Sequence, residues 1–225
     1  TSYKQIIVEF ASGIVPLAVI MFSALGSIIL GIATPTEAAG MGALGATVLT
    51  IAYGRFSWEV LLDTCRRTMT TASLVLFLAV ASNIYGAVFT RLGTGTLLTD
   101  TMLSMPLPPL GLMAVLMIVI FILGWPLEWP AVVFIFLPVF IPIVTALDFN
   151  LVWFSTLVAV NLQTAFLSPP VAMAAYYLRA VAPQWSLGEI YRGMGAFMVL
   201  QLIGLLIVFF FPETALWLPG VLFPK

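Results

Sequence analysis

A break in an apolar run constrains this chain more than any other feature. Residues 151–181 are apolar for longer than the roughly 20 residues that a helix needs to cross a bilayer. Their middle nevertheless holds Asn161, Gln163, Thr164, Ser168, Pro169 and Pro170. Proline has no backbone donor and its ring clashes with the preceding turn, so a Pro-Pro pair ends or breaks a helix. Backbone groups freed in this way persist at membrane depth only where protein buries them or where they line a wet cavity. The stretch therefore predicts an ion or solute site near the middle of a bilayer.

The composition points the same way. Apolar residues make up 62% and charged residues 8%, with mean hydropathy +1.17. Soluble domains have about 45–50% and about 25%. The expected fold class is an all-α polytopic membrane protein embedded in a lipid bilayer. A net charge of −1 argues against nucleic-acid binding, which needs a basic face. Cys65 is the single cysteine, so no disulfide framework exists. The absence of His excludes imidazole catalysis, and no Ser/His, paired-Asp or HExxH arrangement suggests an enzyme. The chain begins at Thr1 and shows no signal-peptide pattern, so we expect the C-terminal part of a longer permease.

In chain order, residues 1–56 read as two spans that pack through small residues. Between them Thr34, Pro35, Thr36 and Glu37 form a helix start: Thr34 as N-cap, Pro35 at the first helical position, Glu37 closing a capping box. Glu37 thus reads first as a cap and second as an ion ligand. The second span is rich in Gly and Ala (Gly40, Gly42, Gly45), which favours close helix approach. Residues 57–67 alternate Trp58, Leu61 and Leu62 with Glu59, Asp63 and Arg66, as in an amphipathic interfacial helix. Residues 68–105 read as a span, with a polar patch at Ser82-Asn83, and a Thr-rich connector.

Residues 106–147 hold two short apolar arms around Gly124-Trp-Pro-Leu-Glu-Trp-Pro130. A helical hairpin that enters and leaves by one face fits best, and two full spans are the alternative. An acid at bilayer depth is a functional hypothesis by default, and Glu128 could equally cap the helix that Pro130 would open. Residues 148–183 form the broken helix, for about five spans in all. Residues 184–225 add a last span, opened by a second capping box at Ser186–Glu189, and an interfacial tail. Six basic residues (Lys4, Arg55, Arg66, Arg67, Arg179, Arg192) fall on one side of this topology and two (Arg91, Lys225) on the other. That bias places Lys4 in the cytoplasm and the hairpin ends outside.

Three stretches resemble signatures of one family, in its order. GIATPTEAA at 31–39 resembles the family's GIxTPTEAA motif. NLQTAFLSPP at 161–170 resembles its N…TPP segment, and GWPLEWP at 124–130 with Pro138 and Pro142 resembles its second re-entrant hairpin. The family is the DctM-like large permease subunit of TRAP (tripartite ATP-independent periplasmic) transporters. Ser168 stands where the family commonly has Thr, Ala172 where it often has Gly, and Glu128 where the tip often has Asp. The resemblance implies a multi-pass secondary active transporter of the bacterial inner membrane, moving by an elevator mechanism. It implies sodium symport of an organic acid, a carboxylate or dicarboxylate, delivered by a periplasmic substrate-binding protein. A small membrane subunit and an N-terminal repeat would complete the assembly, with this chain supplying the second inverted repeat. Sodium would be the coupling ion and the only metal, with no organic cofactor.

Sodium prefers oxygen ligands, which unwound carbonyls and hydroxyls supply in broken-helix transporters. The expected ion ligands lie at Gly124, Trp125, Glu128, Thr164, Leu167 and Ser168. The expected substrate contacts are Asn161, Gln163, Ser168, Pro169 and Pro170, with a half-helix directing its positive end at the anion. Asn161 and Gln163 could equally be interhelical glue. A proton-coupled transporter or channel using Glu128 is the rival reading. The sodium reading also requires the hairpin tip to lie against Leu167–Pro169.

Overall fold

The computed structural model describes residues 3–169 and 172–223, and among these it is helical, with no strand. The chain divides into two compact units, Thr1–Thr71 and Ala72–Lys225, the division falling inside helix α4 (Trp58–Arg91).

In the first unit, α1 (Tyr3–Met21) runs through a π turn, Phe22–Gly26, into the short α2 (Ser27–Ile29). Gly31, at φ +68°, takes the left-handed turn that a side chain would disfavour, and α3 (Pro35–Ala52) follows. The expected capping box is formed. Thr34 N–H and its hydroxyl both donate to Glu37 Oε2 at 2.8 Å, and Glu37 N–H donates to Thr34 Oγ1 at 3.4 Å. These bonds, the backbone one foremost, hold the Glu37 carboxyl below its usual range, so it is the charged carboxylate that caps the helix.

The small residues of α3 pack as expected. A Cβ on Gly45 would sit 2.6 Å from Ser23 Oγ, and one on Gly42 would sit 3.3 Å from Ala24 Cβ. Ser23 Oγ is held by Ile20 O at 2.8 Å, so it cannot swing aside without losing that bond. Gly45→Val is therefore expected to destabilise this unit by about 1–3 kcal/mol. Gly40→Val, where nothing lies within 4 Å, should change little. Thermal unfolding of the two variants in detergent checks this; equal melting temperatures would refute the packing.

In the second unit, α4 is followed by α5 (Thr94–Leu103), α6 (Pro109–Leu123), α7 (Trp129–Ala131), α8 (Leu137–Ala146), α9 (Leu151–Leu162), α10 (Met173–Val181), α11 (Leu187–Phe210) and α12 (Glu213–Leu222). Two boundaries differ from the sequence reading. The interfacial helix at 57–67 and the span after it are one continuous helix, because no Pro or Gly interrupts the chain from Trp58 to Tyr85. The Thr-rich connector contains α5, whose hydroxyls bond back to carbonyls of their own turn: Thr96 to Gly93 O, Thr99 to Gly95 O, Thr101 to Leu97 O.

Helix α9 is the axis of the second unit. α6, α8 and α11 pack around it through Leu112, Leu116, Ile120, Ile143, Phe154, Leu157 and Leu205. Between apolar helices in lipid this packing stabilises by close contact rather than by the hydrophobic effect. Asn150 caps α9, its Oδ1 accepting from Val152 N at 2.8 Å, after a turn in which Asp148 adopts φ +57°. The two hairpin arms run in opposite senses along α9. Met117 of α6 meets Asn161, and Gly124 at its end meets Ala165. The returning arm, through Trp129, Val133 and Leu137, shares a 280 Å³ cavity with Ser155, Leu162 and Phe166. That arm carries a π turn, Val132–Phe136, at the place where Pro138 cannot bond to the carbonyl four residues back.

α11 runs antiparallel to α9: Trp153 Nε1 donates to Val208 O at 2.8 Å and Gln201 Nε2 to Val160 O at 3.0 Å. Among the described residues four helices are long and apolar enough to cross a membrane, α11 included; the Gly- and Thr-rich α3 is not one of them. The break in the α9–α10 element and the tip of the hairpin both lie level with the middle of α11. The 15 residues of α6 rise about 22 Å, short of a hydrocarbon core about 30 Å thick. The returning arm, Trp129–Ala146, is by contrast one of those four helices, so a re-entrant hairpin and two full spans both fit the arm lengths; the tip lies beside the break.

Candidate functional site

The break is built from the end of α9. An α-helix leaves its last four carbonyls without intrahelical partners. Here the chain tightens into a 3-10 turn, Gln163–Phe166, before Leu167, Ser168 and Pro169. Side chains take up the released carbonyls. Thr164 Oγ1 donates to Asn161 O at 2.6 Å, and Gln201 reaches across from α11 to Val160 O. Thr164 O accepts from both Leu167 N and Ser168 N at 3.0 Å, and Ala172 N closes back on Ser168 O at 3.0 Å. Pro170 and Val171 lie outside the described residues.

Three polar side chains of this segment are buried: Asn161 at 0% exposure, Thr164 at 1% and Ser168 at 1%. Asn161 Nδ2 donates to Met117 O on α6 at 2.7 Å, which ties the hairpin to the broken helix. That bond fixes the amide and turns its oxygen away from Met117. Asn161 Oδ1 and Ser168 Oγ are then buried with no partner among the described residues. Burying a polar atom unpaired costs about 1–3 kcal/mol, and such a group in a native structure calls for an explanation such as an ion. The two orphaned oxygen atoms belong to residues about two helical turns apart in the chain, with the buried hydroxyl of Thr164 between them in sequence. Amide and hydroxyl oxygens are hard, neutral donors, a type that suits hard cations rather than soft ones.

The hairpin tip closes on this segment one turn earlier than expected. Gly124 is buried, and a Cβ there would lie 3.4 Å from Ala165 Cβ. The tip therefore meets the break at Ala165 rather than at Leu167–Pro169. Leu127, Glu128 and Trp129 share a 170 Å³ cavity with Ala165, Phe166, Met173 and Tyr177. Glu128 occupies the N-cap position of α7, but its backbone does the capping: its carbonyl accepts from Ala131 N at 3.0 Å and Val132 N at 3.3 Å. Its carboxylate makes no capping bond and, among the described residues, no ion pair. It is exposed at the cavity, so the capping role for its side chain is not observed. Trp125 is also exposed and stacks edge-on against Phe121.

The remaining expected residues divide by exposure. Gln163 is exposed and its Oε1 accepts from Gln201 Nε2 at 3.1 Å, so only its own amide N–H groups remain to meet an anion. Leu167 is half-buried and Pro169 exposed. The Thr34–Glu37 motif belongs to the other unit and its carboxylate is committed to the cap. Asn83, from the polar patch of α4, donates to Ala79 O of its own helix at 3.0 Å. Sequence reasoning missed Gln201. Its signal was plain: it is the single polar side chain between Arg192 and the end of α11.

Residues 2–214 match the family described as "Tripartite ATP-independent periplasmic transporter, DctM component". Among curated proteins, the chain is 27% identical over 218 residues to the sialic acid TRAP transporter large permease protein SiaM of Vibrio cholerae, covering 96% of this chain and 50% of that protein. It is 25% identical over 205 residues to the C4-dicarboxylate TRAP transporter large permease protein DctM of Pseudomonas aeruginosa, covering 89% and 47%. It is 23% identical over 225 residues to the sialic acid TRAP transporter permease protein SiaT of Haemophilus influenzae, covering 100% and 35%. The chain spans half the length, or less, of these relatives.

Proposed function

Because the chain belongs to the DctM-component family of tripartite ATP-independent periplasmic transporters, we propose that it supplies a sodium site and part of a substrate site to an organic-acid permease. The permease lies in the bacterial inner membrane and works with a small membrane subunit, a companion inverted repeat and a periplasmic binding protein. The observation that carries the reading is the pair of buried, unpartnered oxygens, Asn161 Oδ1 and Ser168 Oγ, beside the hairpin tip. A sodium ion bound between them, with Thr164 Oγ1, the Leu167 carbonyl and the Gly124–Glu128 carbonyls as further donors, removes the cost of leaving them unpaired. The ion also draws tip and break together, so ion binding completes the cavity in which the substrate is held. An organic acid then places its carboxylate toward the N-terminal end of α10 and the Gln163 amide. The relatives named for sialic acid and for C4-dicarboxylates carry anionic substrates of this class. The chain acts as a transporter component, not as an enzyme, and alternates access by an elevator movement.

The second reading, a proton-coupled transporter or channel, draws on the exposed and unpaired Glu128 carboxylate. Gradient-driven uptake of sialic acid and of succinate into vesicles, for wild type and Glu128→Gln, separates the two. We expect an inward sodium gradient to drive uptake and Glu128→Gln to keep at least about half of it, since the exposed carboxylate adds little to a screened cation. Uptake driven by a proton gradient alone and abolished in Glu128→Gln would replace the sodium reading with the proton one.

A further inference from the structure

We propose that Gln201 is a positioning residue that holds the broken helix in its ion-binding conformation. The inference rests on the cation reading of the Asn161–Ser168 segment. Gln201 sits where α11 is otherwise apolar from Met194 to Phe210, and a primary amide in that setting needs partners. Both of its N–H groups have them, and both partners belong to the break. One is Val160 O, among the carbonyls that α9 releases as it ends; the other is Gln163 Oε1, in the first residue of the 3-10 turn.

The geometry makes Gln201 a splint across the α-to-3-10 transition. If Val160 O were left unpaired, α9 could recover it by continuing as an α-helix, with Thr164 N–H as the natural donor. Continuing the α-helix would rotate every residue beyond Leu162. The bond of Leu167 N to Thr164 O, an i,i+3 bond that a continuing α-helix does not make, would be lost, and Thr164 and Ser168 would change their orientation relative to Asn161. By taking Val160 O, Gln201 removes that incentive. By holding Gln163 Oε1, it fixes the rotation of the turn's first residue. It does so without touching the ion or the substrate.

Trp153 supplies the matched control. Its Nε1 donates to Val208 O at 2.8 Å, so it also joins α9 to α11, but at the opposite end of the pair from the break. The test compares Gln201→Leu with Trp153→Phe in the purified protein by two readouts. The first is the sodium concentration that half-maximally raises the melting temperature, with potassium as the reference salt. The second is amide hydrogen exchange across residues 163–168. Gln201→Leu is expected to raise the half-maximal sodium concentration at least about tenfold and to speed exchange at 163–168. Trp153→Phe is expected to lower the melting temperature in potassium while leaving both readouts within about twofold of wild type. Equal sodium requirement and equal exchange in Gln201→Leu and wild type would overturn the positioning role. So would an equal shift in both variants, which would mark Gln201 as general packing. If wild type itself does not respond to sodium, the cation reading fails, and faster exchange at 163–168 in Gln201→Leu would then show only that the residue splints the turn.

Discussion

Asn161→Ala is expected to raise the sodium concentration for half-maximal stabilisation by at least about tenfold, or roughly 1.4 kcal/mol of binding, and to lower stability in potassium as well. The two losses have separate sources in one side chain. The amide nitrogen links α9 to the hairpin through Met117 O at 2.7 Å, and the amide oxygen is buried with no protein partner among the described residues. Removing a buried hydrogen bond costs about 0.5–1.5 kcal/mol. Asn161→Asp separates the two roles. It keeps an oxygen for the cation but cannot donate to Met117 O, so it should lose stability in potassium while still responding to sodium. If Asn161→Ala responded to sodium at wild-type concentrations, the side chain would be interhelical glue alone.

The second large effect is expected at the hairpin tip. Gly124 faces Ala165 with room for one methyl group at ordinary contact distance, 3.4 Å, and lies as near to Ile120 O. Gly124→Ala should therefore keep transport within about twofold. Gly124→Val adds two branches where none fits, and overpacking of this kind costs about 1–3 kcal/mol or displaces the tip. Displacement moves the Gly124–Glu128 carbonyls off the break, so sodium-driven uptake should fall more than about tenfold while the protein remains folded in detergent. Normal uptake by Gly124→Val would mean that tip and break need not touch.

Much of this arrangement was legible in the sequence because it depends on local chemistry. A Pro-Pro pair and a cluster of polar residues in an apolar run locate the break, and Thr34 to Glu37 and Ser186 to Glu189 spell out caps that form as written. The glycines of α3 announce close packing, which Gly45 and Ser23 show. Readings failed where composition changes but the backbone does not. Charged residues around Asp63 and Arg67 made the start of α4 look like a separate element, yet their 2.8 Å ion pair sits comfortably on the surface of one helix. Thr-rich α5 looked like a loop because its hydroxyls are polar, although each satisfies itself within its own turn. Glu128 looked like a side-chain cap because Trp129-Pro130 follows it, and in the structure the backbone carbonyl suffices. The register of tip on break, Gly124 to Ala165, and the reach of Gln201 are tertiary pairings between segments 38 or more residues apart, which no local pattern encodes.

On the proposed sodium reading, the protein leaves Ser168 Oγ and Asn161 Oδ1 unpaired because a sodium ion pairs with them. Ligand binding to the folded state raises stability in proportion to the logarithm of ligand concentration over its dissociation constant. The most direct measurement is the melting temperature of wild type and Ser168→Ala titrated with sodium chloride, with potassium chloride holding ionic strength constant. The account predicts that sodium stabilises wild type, that potassium does not, and that Ser168→Ala needs at least about tenfold more sodium for the same shift while melting no lower in potassium, since the alanine removes an unpaired buried hydroxyl. Indistinguishable sodium titrations of the two proteins would contradict it.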